Sequence, residues 1–497
     1  MSKRPNVLFL LADDQRYGTI HALGNDEIKT PNLDKLVERG CAFNRAYIPG
    51  GTASAVCMPS RGMINSGRTL FHLQENGRNI PDCDVTMGQA FREGGYRCFE
   101  TGKWHNGVGS FVRSFTDGSE IFFGGMWDHW NVPVCDFRED GVYDKAINFT
   151  PNFSASHATV KVLADKIHAG VHSTELFSDA AIDFIENYDK EEPFFMYVAF
   201  LAPHDPRTMP EEFRNMYNPE EITLPPNYQS MPTFDYGWMS GRDETVESYP
   251  RKPEAVKKHI AEYYSMISHI DANVGRIIKA LEDKGELENT IIVFAGDNGL
   301  ALGQHGLMGK QNIYEHSVRL PLVMAGPGIP AGSSRDQYVY LLDIYPSLCE
   351  MCGVKIPESV EGKSFAPMFE QEEYVTRPDI YHAFQARIRG VQDGRFKLVE
   401  YRCDKLKFTQ LFDLKNDPWE TQNFAGVPGY EGILQKLRAR MEEYREEWDE
   451  EGHIYGRQYW EQWRNYEAAE VHGVDKPKGS NMANQVGDWG TASQKKA

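Results

Sequence analysis

The 497-residue sequence predicts an α/β fold: a large mixed, mostly parallel sheet flanked by helices, followed by a smaller C-terminal α+β domain containing an antiparallel sheet. Three observations carry that prediction. Short continuous apolar runs alternate with stretches of helical periodicity, as parallel strands with crossover helices require. Four of the runs end in polar, chemically capable residues. From about residue 376 the texture changes to short strands joined by polar turns, which places a larger α/β domain in residues 1–375 and a sheet-and-helix subdomain with its tail in residues 376–497.

In order along the chain, Asn6 to Ala12 is unbroken apolar sequence after its first residue and delivers Asp13 and Asp14. Thr30-Pro31 to Gly40 reads as a helix with a capping threonine, a proline in the first turn and a closing glycine. Cys57 stands at a helix start, with Pro59 in its first turn. Tyr96 to Thr101 is a second strand, leading to Lys103 and His105. Thr174 to Tyr188 sets Leu176, Phe177, Ala180, Ile182, Phe184 and Ile185 largely on one helical face. Pro193 to Leu201 is a strand that delivers His204. The longest helix runs from about Pro253 to Asp283, with Ile260, Tyr264, Ile267, Ile270, Val274, Ile277 and Leu281 at helical spacing. Thr290 to Ala295 is a strand ending at Asp297 and Asn298. In the C-terminal part, Asp379 to Arg389, Gly390 to Tyr401 and Lys407 to Asp413 read as strands, with Gln392-Asp393-Gly394 as a turn. Tyr430 to Asp449 reads as a charged helix, Trp448 to Tyr466 is aromatic and charged, and Asn481 to Ala497 reads as a polar tail. Open α/β sheets form their sites beyond the carboxyl ends of the strands, so four separate segments converge on one rim.

Composition bounds the function. A formal net charge of −19 argues against nucleic-acid or anionic-membrane surfaces. No stretch reaches the length of a membrane span, so no membrane insertion is expected. The run Val7 to Ala12 after Lys3 and Arg4 is short, lacks a small-residue cleavage site and runs into Asp13-Asp14, which favours a buried strand over a signal segment. With Met1 native, the expected location is cytoplasmic; a removed leader would make it periplasmic or secreted. Eight cysteines are too sparse for a disulfide scaffold, and Cys349-x-x-Cys352, in an apparent helix from Asp343 to Gly353, reads as a pair of core or surface thiols.

The strongest local signal is Cys57-Met58-Pro59-Ser60-Arg61, which opens the string CMPSRGMINSGR. Gly95-Tyr96 and Gly102-Lys103-Trp104-His105 form a second string, with Asp13-Asp14 before it and Gly296-Asp297-Asn298-Gly299 far downstream. Over roughly residues 5 to 420 this set resembles the type I, formylglycine-dependent sulfatase family of the alkaline-phosphatase-like superfamily. Cys98 and Asn106 depart from common family choices of threonine and leucine, hinting at a subfamily.

The resemblance implies that a maturation enzyme oxidises Cys57 to formylglycine (3-oxoalanine), whose hydrate attacks sulfur in line. It further implies one Ca²⁺ held by Asp13, Asp14, Asp297, Asn298 and the modified Cys57. Three aspartates brought together would repel one another, and a hard divalent cation resolves that conflict. Arg61 would hold the hydrate, and Lys103 and Lys310 the sulfate oxygens. His204 would protonate the leaving alcohol, and His105 would take a proton from the remaining hydroxyl to expel sulfate. Together these cations suit a monoanionic sulfate ester.

The expected substrate is a sulfated carbohydrate. Phe122 to Trp130 is polar-aromatic, which suits a sugar ring or a core cluster alike, and Arg207, Arg242 and Arg387 read either as binders of a second anion or as ion pairs. A phosphonate or phosphate ester hydrolase of the same superfamily is the nearest alternative, although Asn298 stands where histidine would favour that branch. A non-catalytic sulfated-glycan-binding protein with unprocessed Cys57 is the other.

Overall fold

The computed structural model describes residues 3–151, 154, 156–403 and 406–472; the predicted tail, Asn481 to Ala497, lies outside the described residues. An eight-stranded sheet organises the larger part, in the order Ser333–Arg335, Cys41–Phe43, Leu322–Ala325, Thr290–Gly296, Asn6–Ala12, Phe194–Ala199, Arg97–Lys103, Asp117–Phe122. The strands from Thr290–Gly296 through Asp117–Phe122 pair in parallel, and Leu322–Ala325 is antiparallel to both its neighbours. The predicted mixed, mostly parallel sheet is therefore present.

Asn6–Ala12 sits at the centre because it is apolar on both faces. Val7, Phe9 and Leu11 enter one core, with Met63, Ile64, Phe91 and Leu348 from helices on that side. Leu8, Leu10 and Ala12 enter the other, with Leu33, Ala181, Ile270, Val274 and Ile277. Fully burying such a side chain contributes about 2 kcal/mol, so a single Leu10→Ala change costs about 3 kcal/mol once the cavity is included. The helices Ser173–Asn187 and Pro253–Asp283 form much of the second layer, close to their predicted bounds. Cys349 and Cys352 are free, buried thiols on helix Ile344–Cys352.

Two details of helix Pro31–Arg39 differ from expectation. Thr30 does not cap it, because its Oγ1 accepts from His21 N at 2.8 Å and lies 3.1 Å from Asp34 Oδ1. The cap comes from Asp271 in the long helix, whose Oδ1 accepts from Asn32 N at 3.0 Å and Leu33 N at 2.7 Å. Gly40 is extended rather than left-handed; its lack of a side chain matters because a Cβ there would lie 2.1 Å from Met324 O.

The smaller sheet runs Leu406–Asp413, Phe396–Cys403, Ile388–Gln392, Ile380–Phe384 and Gly50–Gly51. Its first four strands are antiparallel, where the sequence suggested three. The predicted strand Asp379 to Arg389 is broken by Gln385, at φ 44°, which turns the chain so that Phe384 pairs with Ile388. The predicted strand Gly390 to Tyr401 is interrupted at Asp393, whose carboxylate accepts from Phe396 N at 3.0 Å, and at Gly394, φ 92°. Helix Glu431–Glu447 packs on this sheet, followed by Ile454–His472, whose Tyr459 and Trp463 lie 4.3 Å from the buried guanidiniums of Arg389 and Arg402.

Candidate active site

Helix Cys57–Ser66 has all ten residues buried and ends at Gly67, φ 67°, whose N–H returns to Met63 O at 2.8 Å. Residues three and four apart share a helical face, so Cys57, Ser60 and Arg61 point the same way. That face meets the strand ends. Ser60 Oγ donates to Asp297 O at 2.5 Å, and Arg61 Nε donates to Asp297 Oδ2 at 2.7 Å. Arg61 also donates to Lys103 O at 2.9 Å and Phe200 O at 3.4 Å, tying three strand ends to the turn that carries Cys57.

Asp13, Asp14 and Asp297 are buried with ligand atoms all within 4.8 Å of one another. Asp14 sits at φ 70°, a strained conformation for a side-chain-bearing residue. It is held there by its N–H to Asp297 Oδ1 at 3.0 Å and by Tyr263 OH donating to its carbonyl at 2.5 Å. Asn298 Nδ2 donates to Asp297 Oδ1 at 2.8 Å, which fixes its amide.

Cations neutralise this cluster. Lys103 Nζ bonds Asp13 Oδ2 and lies 3.4 Å from Cys57 Sγ; Lys310 Nζ lies 2.5 Å from Asp14 Oδ1. His105 Nδ1 is 3.6 Å from Cys57 Sγ, and His204 Nε2 is 3.6 Å from Asp14 Oδ2. The structure thus brings all the sequence-predicted site residues together: Cys57, Arg61, Lys103, His105, His204, Lys310, Asp13, Asp14, Asp297 and Asn298.

Protonation follows from burial and charge. Burial pushes the Cys57 thiol up to about 11 despite Lys103, so the unmodified residue is a neutral thiol. Burial, with Lys103 and Arg61, puts His105 well below its ordinary value, leaving a neutral imidazole able to accept a proton. Burial also opposes charge on His204, but Asp14, Asp205 and Asp13 together outweigh it and raise the imidazole. Asp13 is depressed, because Lys103 and Arg61 overcome its burial, whereas burial and the Asp13 charge lift Asp297 to about 6.

The donor set fits a hard cation. Every candidate ligand atom is oxygen, and Asp13 Oδ1 and Asn298 Oδ1 are buried without a protein partner.

Several participants were not assigned from sequence. Asp205 pairs with His204 Nδ1 at 3.1 Å and is gripped in turn by Arg242 at 2.5 Å, so Arg242 orients a histidine's partner rather than standing free for a second anion. Arg207 and Arg387 also have protein partners, His259 at 2.6 Å and Tyr236 O at 2.8 Å. Gln311 Nε2 bridges Asp243 Oδ2 at 2.6 Å and Ser54 O at 2.9 Å beside Lys310. Asn106 donates to Met58 O at 3.1 Å and Gly77 O at 2.6 Å, bracing the first turn of the Cys57 helix. The aromatic segment Phe122 to Trp130 divides in role. Phe122 and His129 are buried, and His129 Nε2 meets His204 O at 2.9 Å. Gly125 lies against His105, where a Cβ would stand 2.7 Å from Nε2.

A family model described as Sulfatase matches residues 5–354, and one described as N-sulphoglucosamine sulphohydrolase, C-terminal, matches residues 303–447. An N-acetylglucosamine-6-O-sulfatase of Bacteroides thetaiotaomicron is 26% identical over 514 aligned positions, 89% of this chain and 86% of the relative. A solved structure in complex with its substrate D-glucosamine-2-N,6-O-disulfate superposes with TM-score 0.67 at 24% identity, over 90% of this chain and 98% of the other. The phosphonate monoester hydrolase of Agrobacterium radiobacter has TM-score 0.70 at 21% identity, over 90% and 96%.

Proposed function

The chain belongs to the sulfatase family, and is thereby a sulfuric ester hydrolase; from that premise we propose that it removes sulfate from a sulfated carbohydrate, using Cys57 oxidised to formylglycine. The observation that carries the reading is the convergence on Cys57 Sγ of Lys103 Nζ at 3.4 Å and His105 Nδ1 at 3.6 Å, beside the three-carboxylate cluster. Sγ stands in for an oxygen of the hydrated aldehyde. A sugar substrate is carried over from the N-acetylglucosamine-6-O-sulfatase relative.

In this mechanism Asp13, Asp14, Asp297 and Asn298 would hold one calcium ion, which supplies positive charge at the reacting centre when bound. The remaining work belongs to side chains. Lys103 and Lys310 now neutralise Asp13 and Asp14; once those carboxylates are otherwise engaged, the two ammoniums are free to bind sulfate oxygens. Arg61 keeps Asp297 and the Lys103 backbone in place. His204 donates from Nε2 to the departing alcohol oxygen, its Nδ1 turned to Asp205. Neutral His105 accepts the proton from the hydroxyl left at the Cys57 position, so that sulfate departs and the aldehyde returns.

Peptide mass spectrometry tests the nucleophile: oxidation of the thiol to the aldehyde removes about 18 Da from the Cys57 fragment. Hydrolysis of N-acetylglucosamine-6-sulfate is then compared with an aryl sulfate and an aryl phosphonate. Aldehyde-bearing protein that cleaves the phosphonate better than either sulfate would overturn the assignment, and aldehyde-bearing protein that binds sulfated glycan without turnover would support a binding role instead.

A further inference from the structure

Of the two ammoniums proposed to bind sulfate, Lys103 ends the strand Arg97–Lys103, whereas Lys310 lies in the irregular chain between Gly296 and Glu315. Its stretch of backbone has no sheet ladder to fix it, so its hydrogen bonds must be met elsewhere.

Glu244, 1% exposed, meets two of them. Its Oε2 accepts from Met308 N at 2.9 Å and its Oε1 from Gly309 N at 2.8 Å, the two peptides just ahead of Lys310. Buried Arg251 donates to the same Oε2 at 2.8 Å and to Gly306 O at 3.3 Å, which ties the carboxylate to the loop a second time. Gly309 O in turn accepts from Ala301 N at 3.0 Å. The approach requires glycine at 309: a Cβ there would stand 2.5 Å from Gln311 Oε1, 2.8 Å from Asp243 Cβ and 3.0 Å from Glu244 Oε1.

Asp243 acts on the residue after the lysine. Its Oδ2 accepts from Gln311 Nε2 at 2.6 Å, and Gln311 Oε1 accepts from Lys310 N at 3.1 Å. The same Nε2 reaches Ser54 O at 2.9 Å, three residues before Cys57. Burial opposes charge on Asp243, but Lys310, Gln311, His204 and Arg242 together outweigh it and hold its carboxyl below the ordinary range. Arg242, the preceding residue, grips both oxygens of Asp205, the partner of His204, at 2.7 and 2.5 Å. Three consecutive residues outside the large sheet therefore touch the supports of Lys310 and His204, the two cationic groups that meet Asp14.

We propose that Asp243 and Glu244 are positioning residues for Lys310, setting the backbone from which its ammonium reaches the site. What that ammonium binds rests on the function proposed above; where it stands does not. Full-length wild type, Glu244→Gln and Asp243→Ala are given a pulse of formaldehyde and cyanoborohydride, and methylation of each lysine is mapped by peptide mass spectrometry. Glu244→Gln keeps the volume but gives up one of two acceptor oxygens. Asp243→Ala removes the Gln311 partner at a side chain 15% exposed, and so decides the matter if the buried change prevents folding. Buried Lys310 should be modified about fivefold faster or more in each variant, as local opening allows, while Lys103 and Lys397, both fully buried, stay protected. Turnover of an aryl sulfate should fall about 10- to 100-fold through kcat, as a misplaced group costs. In a Lys310→Met background the same changes should cost less than about threefold, because nothing is left to position. Unchanged protection of Lys310 in folded variants, exposure of all three lysines together, or losses that multiply in the Lys310→Met background would each overturn the proposal. Aldehyde-bearing wild type that turned over no sulfate ester would count against the proposed function instead, and the labelling would still decide whether Asp243 and Glu244 place Lys310.

Discussion

Replacing Lys310 by methionine separates the charge arrangement of the site from its chemistry. Lys310 Nζ lies 2.5 Å from Asp14 Oδ1, with side chains only 2% and 1% exposed. Removing one member of a buried pair leaves the other uncompensated, at a cost of about 3–5 kcal/mol. A divalent cation on the three carboxylates would supply the charge that Lys310 provides. Lys310→Met should therefore be strongly destabilised in a chelator and far less so in calcium. Since the penalty falls on the metal-free form, apparent calcium affinity should rise, by about a hundredfold if roughly 3 kcal/mol is recovered. The assay is denaturant unfolding of both proteins in EDTA and in calcium, with calorimetric calcium titration. Equal calcium-dependent stabilisation of wild type and variant would refute the reasoning, whatever happened to turnover.

Cys57→Ala should lose essentially all sulfate ester hydrolysis while melting within a degree or two of wild type; turnover above a few per cent in clean protein would remove Cys57 as nucleophile. His204→Ala should slow a sugar sulfate by about 10²–10⁴-fold and an activated aryl sulfate much less, because a good leaving group needs little protonation; equal losses count against the acid role. Gly102→Ala should cost about 4 kcal/mol and most activity together, since a Cβ there meets Ala199 O at 2.1 Å at φ 103°, just before Lys103; unchanged denaturant unfolding would show that the strand pair can yield. Arg242→Ala should lower turnover of sugar sulfates more than of aryl sulfates by freeing Asp205 from its partner, and a uniform change across leaving groups would argue for direct substrate binding instead.

Much of the sheet was legible because its central strands are buried on both faces and so appear as unbroken apolar runs; Asn6–Ala12 and Pro253–Asp283 fall at their predicted bounds. Most of the site residues were legible because they lie just past such runs or on the Cys57 string, whereas Lys310, well beyond Thr290–Gly296, was marked only by the family resemblance. What stayed hidden depends on contacts distant in sequence. Asp271 caps a helix about 240 residues earlier, and no local pattern marks a carboxylate for that task. Asp243 and Gln311 meet beside Lys310 from separate loops. The extra strand break at Gln385 is a non-glycine residue in left-handed backbone, which residue type does not announce. The segment Phe122 to Trp130 read equally as a sugar contact or a core cluster, because aromatic and polar neighbours suit both; for His129 its bond to the His204 carbonyl separates the two.

The position of the first strand sets an order of events during synthesis. Asn6–Ala12 is made well before its two sheet partners, Phe194–Ala199 and Thr290–Gly296. Helix Cys57–Ser66, every residue of which ends up buried, rests through Ser60 and Arg61 on Asp297, just beyond the later partner. If Cys57 is oxidised as proposed above, an enzyme doing so would have no access to the buried string around it once that docking is complete. Roughly 240 residues must follow Cys57 before the docking surface exists, which at ordinary elongation rates leaves a window on the order of 10–50 s. Faster elongation or tighter early collapse would shorten that window, so under the proposed chemistry the fraction of chains oxidised at Cys57 would depend on how quickly they are made as well as on what they contain.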